Sequence, residues 1–134
     1  MIGGRILDTT ALTATARGSV YMQALLSIAH KRVIPLLVPA TALSDAYADL
    51  KPDAAHALAT IMEFPLLTLA PLDEPDARGA GLLRANATST ADLAADLAAG
   101  HVAYLAAARQ WPVVTGHPDR LRALYPEIET EALP

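Results

Sequence analysis

Short apolar segments alternate with helical patterns along the whole chain, and this alternation constrains the fold more than any other feature. Strands are predicted at residues 5–7, 32–39, 65–69, 113–115 and 128–133, and helices at 19–31, 41–50, 53–63, 73–83, 91–110 and 119–124. Strands that alternate with helices form parallel sheets, because each crossover helix packs on a face of the sheet. The chain is therefore predicted to be a layered α/β protein with a mostly parallel sheet.

The helix boundaries are predicted from capping residues. Ser19 and Thr41 each precede a helical pattern and are expected to be N-caps. Ser89 or Thr90 is expected to cap a single long helix over residues 91–110. Gly100 interrupts that helix at a cost of about 1 kcal/mol relative to alanine.

Composition limits the chemistry that the chain can perform. Its 134 residues predict one domain, residues 1–134. The absence of cysteine excludes disulfides, thiolate zinc sites and cysteine nucleophiles. GxSxG, GxxxxGK[ST] and GxGxxG motifs are also missing. The sequence has no secretory pattern and no apolar run of membrane-spanning length, so we expect a cytoplasmic protein with no membrane partner.

Acidic residues are predicted to converge at one edge of the sheet. Asp8 follows the first strand, and residues 115–119 follow the fourth. Asp45 lies on the helix after the second strand, and Asp96 lies near the start of the helix that precedes the fourth. Ligands bind beyond the carboxyl ends of parallel strands, and hard divalent cations prefer carboxylate oxygens. The pattern therefore predicts a Mg²⁺ or Mn²⁺ pocket.

Each acid also has a purely structural interpretation. Asp8 can cap the turn that follows it, and Asp45 can be a first-turn acid that the helix dipole favours. Asp92 is better explained as a partner of the dipole at a helix N-terminus, whereas Asp96 lies deeper in the helix. Asp119 can simply begin the last short helix after Pro118.

Four segments match a known family in order and content. They are ILDTTAL, LVPATALSDAYADL, ADLAADLAAGHVAYLAAARQWPVVTG and PDRLRAL. With these segments the chain resembles a PIN domain, and more narrowly the small actinobacterial proteins related to VapC toxins of toxin–antitoxin pairs. The resemblance implies a three-layer α/β/α sandwich around a parallel sheet, and a Mg²⁺- or Mn²⁺-dependent ribonuclease.

The resemblance also assigns the site residues. The first family acid falls on Asp8, and the small hydroxyl two residues later falls on Thr10. The second acid, usually glutamate, falls on Asp45. The third falls best on Asp96, with Asp92 as the alternative. The place of the fourth acid holds His117, and Asp119 is the nearby candidate to replace it.

The predicted mechanism is metal-assisted hydrolysis of RNA. Asp8 and Asp96 would bind the cation directly, and Asp45 directly or through water. The cation would lower the pKa of a bound water and offset charge on the phosphate. His117 or Asp119 would position a second metal or the water. Supporting hydroxyls are expected at Thr10 and Thr115, and phosphate contacts at Arg17, Arg120 and Arg122.

Other functions remain open at this point. The chain can be a catalytically degenerate PIN-like domain that acts as a protein-binding or regulatory module. VapC-like proteins pair with a small antitoxin and form homodimers, and helices 19–31 and 53–63 can supply such surfaces. A phosphatase-like hydrolase with Asp8 as nucleophile is the weakest option, because Thr10 occupies the place of the second aspartate of a DxD motif.

Overall fold

A five-stranded parallel sheet forms the centre of the molecule. The computed structural model describes residues 3–87 and 91–134, so the expected caps Ser89 and Thr90 lie outside the described residues. The strands are β1 (Arg5–Leu7), β2 (Leu36–Pro39), β3 (Leu67–Ala70), β4 (Val113–Thr115) and β5 (Thr130–Ala132). Their order across the sheet is β3-β2-β1-β4-β5, and every neighbouring pair is parallel.

Helices connect the strands and flank the sheet, as the α/β/α prediction requires. In the described residues, two helices follow β1, two follow β2, three follow β3 and one follows β4. They are α1 (Thr9–Ala16), α2 (Val20–Arg32), α3 (Ala40–Asp49), α4 (Pro52–Ile61), α5 (Glu74–Ala85), α6 (Ala91–Ala94), α7 (Leu97–Arg109) and α8 (Pro118–Leu124). In the described part of the chain, no helix combines the length and the apolar character needed to cross a membrane.

The strand order reverses direction between β1 and β4. The chain proceeds from β1 outward to β2 and β3, then returns to place β4 and β5 on the other side of β1. In parallel sheets such a reversal opens a crevice at the carboxyl ends of the two central strands, and ligands bind there. The residues that follow β1 and β4 are therefore expected to form a ligand site.

The core lies around the three central strands. Ile6 and Leu7 of β1 and Val113 and Val114 of β4 are fully buried, and all four residues of β2 are buried. Edge strand β3 is less buried and exposes Thr68 and Leu69. The central strands are buried on both faces, so their backbone holds the side chains that follow them in defined positions.

One helix is missing from the sequence prediction. Residues 9–16 form α1, although four of its eight residues are threonines, which have low helix propensity. Asp8 is its N-cap and accepts a hydrogen bond from the backbone N–H of Ala11. The turn-capping interpretation of Asp8 is thus correct, and the turn continues into a helix whose buried face packs into the core.

The long helix expected over residues 91–110 is two helices. Arg84 donates from Nε to the carbonyl oxygen of Ala94 at 2.9 Å, and Asp96 caps the helix that follows. Gly100 does not interrupt α7. A Cβ at this position would lie 2.5 Å from Cδ of Arg84, so the glycine allows α5 and α7 to approach closely.

The prediction that Thr41 is the N-cap of α3 is wrong. The N-cap of α3 is Pro39, which has no capping side chain. The hydroxyl of Thr41 instead lies 2.8 Å from Nδ1 of His101, a fully buried residue of α7. Thr41 therefore joins two helices rather than starting one.

Candidate functional site

A cavity of about 220 Å³ opens at the carboxyl edge of the sheet, where the strand order reverses. Three of the predicted acids, Asp8, Asp45 and Asp96, line it. His117 and Arg120 also line it. These residues come from the end of β1, from α3, from the N-cap of α7 and from the segment after β4. Side chains distant in sequence thus share one cavity.

Asp8 is held in place by neutral hydrogen-bond donors. It follows β1 directly and is only 8% exposed. One carboxylate oxygen, Oδ1, accepts from the backbone N–H of Ala11 at 2.9 Å and from the hydroxyl of Thr10 at 2.6 Å. Within the described residues, Oδ2 accepts no hydrogen bond and no cation pairs with Asp8. Asp8 therefore presents an ionisable oxygen whose direction is fixed but whose charge is not neutralised.

Thr10 connects the carboxyl ends of β1 and β4. Its hydroxyl donates to Asp8 and accepts from the backbone N–H of Gly116 at 2.7 Å, in the turn after β4. Thr115 acts on the same turn, because its buried hydroxyl accepts from the backbone N–H of His117 at 2.9 Å. Thr115 is not part of the cavity wall, so it supports the backbone rather than the carboxylates.

Asp96 lies in a different electrostatic environment. Its Oδ1 accepts from the backbone N–H of Ala99 at 3.0 Å, which is the N-cap bond of α7. Its Oδ2 accepts from Nε and Nη2 of Arg120, at 3.0 and 2.9 Å. Both oxygens of Asp96 are therefore occupied, one by a helix N-terminus and the other by a guanidinium.

Arg120 bridges two acids. Its Nη2 also donates to Oδ2 of Asp92 at 3.0 Å. The hydrogen bond to Asp96 is the main reason that the pKa of Arg120 lies above its usual value, and Asp92 adds to the effect. The side chain of Arg120 is 34% exposed and that of Asp92 is 81% exposed, so water screens this pairing in part.

Asp45 and His117 line the cavity from the solvent side, and both are exposed. Thr9, which was not predicted as a site residue, also lines it. The hydroxyl of Thr9 donates to the carbonyl oxygen of Ala42 at 3.3 Å and so ties α1 to the helix that carries Asp45. Its position directly after Asp8 in the sequence could have indicated that Thr9 lies at the site.

Besides Thr115, three predicted residues lie outside this cavity. Asp119 is 98% exposed at its side chain and pairs with Arg122 at 2.9 Å, and it lines a separate shallow cavity with His117. Arg122 also donates to the hydroxyl of Thr130. Arg17 pairs with Asp49 at 3.4 Å on the surface. The structure therefore does not bring Asp119, Arg122 or Arg17 to the carboxylates.

The oxygen atoms that line the cavity suit a hard divalent cation by their chemistry, but the side chains are not placed to coordinate one. Carboxylate oxygens from Asp8, Asp45 and Asp96 are the ligand type that Mg²⁺ and Mn²⁺ prefer. Among residues 3–87 and 91–134, however, no group of three or more acidic or histidine side chains is placed to hold a metal. The obstacle that the contacts identify is Arg120, which already neutralises Asp96.

Comparison with solved structures supports the fold. The chain is similar to a chain of the crystal structure of DNA-bound VapBC from Salmonella typhimurium, with a TM-score of 0.69 and 20% identity over 98% of each chain. No family model and no curated protein match the sequence. The similarity confirms the predicted VapC-like α/β/α fold with its parallel sheet, and it gives no support to an actinobacterial origin.

Proposed function

We propose that this chain is a single PIN-like domain with Mg²⁺- or Mn²⁺-dependent ribonuclease activity. The observation that carries the proposal is the cavity at the strand reversal, which three acids from separate elements line. A divalent cation bound among them would supply Lewis-acid assistance to the hydrolysis of a phosphodiester. The net charge of −4 makes such a cation, rather than a general basic surface, the attraction for RNA.

Each residue contributes a distinct task in this proposal. Asp8 offers an oxygen that has no partner in the described part of the chain, and Thr10 fixes the orientation of the carboxylate. Asp45 reaches the cavity from α3, either directly or through water, and Asp96 reaches it from the N-cap of α7. His117 lies at the exposed rim, where a ring nitrogen can orient the attacking water.

We further propose that the chain is the toxin of a toxin–antitoxin pair in the cytoplasm, with a small antitoxin as partner and a homodimer as its own assembly. Support comes from the similar Salmonella protein, which is described as VapBC and therefore as a complex. Co-purification with the product of an adjacent small gene would test the partner, and light scattering would test the dimer.

The nuclease proposal is tested by RNA cleavage with Mn²⁺, Mg²⁺ or EDTA, for the wild type and for D8N. Asparagine also caps helices well, so D8N should fold while losing the charge. We expect EDTA and D8N each to lower cleavage about a hundredfold or more. Asp73 supplies a matched control, because it also caps a helix, α5, but does not line the cavity. D73N should cleave normally, and D8N cleaving like D73N would contradict the proposal.

A second candidate function is a non-catalytic binding module. The observation in its favour is the pairing of Arg120 with Asp96, which places a protein cation where a metal ligand is needed. Calorimetry separates the candidates. Absence of Mn²⁺ and Mg²⁺ binding at millimolar concentrations, together with absence of cleavage, would favour the module.

A further inference from the structure

We propose that Arg120 is an internal competitor of the divalent cation, so that the site takes up metal only when this guanidinium releases Asp96. The inference rests on the proposed function, since it describes how the same site is controlled. It concerns one contact, the bond of Nε and Nη2 of Arg120 to Oδ2 of Asp96.

The geometry of Asp96 makes the competition direct. Its Oδ1 accepts the N-cap bond of α7, and among the described residues its Oδ2 has no backbone donor. That oxygen receives two charge-assisted hydrogen bonds from one guanidinium. Because a metal and the guanidinium would share the negative charge of one carboxylate, binding of one would weaken binding of the other.

The contact is also placed so that it can open. Arg120 belongs to the seven-residue helix α8, and 34% of its side chain is exposed. Its second partner, Asp92, is 81% exposed. Ion pairs with this much solvent contact stabilise a protein only modestly, so a doubly charged ion can displace the guanidinium. A phosphate group is another anion that a released Arg120 can bind.

Across the cavity, residues 3–87 and 91–134 place no such competitor beside Asp8. Asp8 has no cationic partner within the described residues, although it is more buried than Asp96. A guanidinium that served only to relieve repulsion among the acids would be expected near the more buried carboxylate, where charge is costlier. Arg120 instead neutralises the more exposed acid, which is consistent with a reversible role.

A purely structural clamp is the alternative explanation. Arg120 links α8 to the start of α7, and such a link can stabilise the fold without any relation to metal. The clamp predicts that R120Q loses stability and binds metal no better than the wild type. Competition predicts that R120Q binds metal more tightly, whatever its stability.

The experiment is titration of the full chain with Mn²⁺ by isothermal calorimetry. We expect R120Q to bind Mn²⁺ about tenfold to a hundredfold more tightly than the wild type, which is the size of one charge-assisted hydrogen-bond contact. R78Q is the matched control, because Arg78 pairs with Glu74 on the surface of α5, outside the cavity. It changes the net charge equally and should leave Mn²⁺ affinity within about twofold of the wild type.

The outcomes separate the two proposals. Equal Mn²⁺ affinity of wild type and R120Q, abolished in both by D8N, would overturn the competition and leave the nuclease site intact. No binding to either protein would overturn both proposals. If thermal denaturation shows that R120Q does not fold, R120K replaces it. Lysine keeps the charge but not the two-nitrogen contact, so tighter binding supports the competition and unchanged or weaker binding overturns it.

Discussion

Asp8 and Asp96 perform the same structural task at two corners of one cavity, but their charges are treated differently. Each is an N-cap whose Oδ1 accepts from the backbone N–H three residues later. The second oxygen of Asp96 binds a guanidinium, whereas in the described residues that of Asp8 has no partner. Capping therefore fixes where a carboxylate points, while a basic residue distant in sequence decides whether it is available.

The largest effect should come from the support of Asp8. T10V keeps the shape of the side chain but removes its bonds to Asp8 and to the backbone N–H of Gly116. We expect cleavage of RNA to fall about tenfold to a hundredfold, as is usual when the residue that orients a metal ligand is lost. Cleavage rates under saturating Mn²⁺ provide the measurement.

T10S is the matched control for that substitution. Serine retains the hydroxyl and should cleave within about threefold of the wild type. If T10V and T10S are equally active, the hydroxyl does not orient Asp8 for catalysis, and the contrast between the two corners loses its functional meaning.

A smaller effect should distinguish the two acids in stability. D96N keeps the cap but replaces the anion that Arg120 binds, so we expect its free energy of unfolding to fall by about 1 kcal/mol. D8N also keeps its cap and, among the described residues, has no cationic partner to lose, so its change should stay within about 0.5 kcal/mol. Urea denaturation of both variants measures the difference, and equal losses would contradict the comparison.

The smallest effect should be on how stability depends on pH. Burial lowers the pKa of His101 below its ordinary value of 6.5, and hydrogen bonding and charge from Asp76 offset part of the shift. The unfolded chain therefore binds the proton more readily than the folded one. The contribution of neutral His101 to the free energy of unfolding is full above about pH 6.5. It is lost as the pH falls from there towards the lowered pKa of the folded protein.

Denaturant unfolding between about pH 7.5 and 5 should show this loss in the wild type and a flatter profile in H101Q. His101 bonds to Thr41 on the helix that carries Asp45, so amide exchange on acidification should rise in α3 and α7 before α1. A profile equally steep in both proteins would exclude His101 as the cause.

Much of the fold was predictable because its signals are local. The apolar segments at β1 and β4 and the cap at Ser19 are visible in a few neighbouring residues, and the structure confirms them. Helix α1 was missed because its threonines have low intrinsic helix propensity, while tertiary packing decides the outcome. Gly100 was misread for a related reason, since its role depends on Arg84 of another helix.

The site was predictable only in part. Parallel strands bring their carboxyl ends to one edge, so the location of Asp8 near the other acids followed from element order alone. The bond between Arg120 and Asp96 did not follow, because it joins residues 24 apart through the packing of α7 against α8. Arg120 was predicted to bind phosphate, and no local pattern indicates which acid it pairs with.

Anomalous diffraction from crystals of the chain grown with Mn²⁺ would show directly whether the cavity binds the cation. We predict one Mn²⁺ peak in the cavity, bonded to oxygens of Asp8 and Asp96, with the guanidinium of Arg120 moved away from Oδ2 of Asp96. A cavity without Mn²⁺ at millimolar concentrations, and with Arg120 still bonded to Asp96, would contradict it.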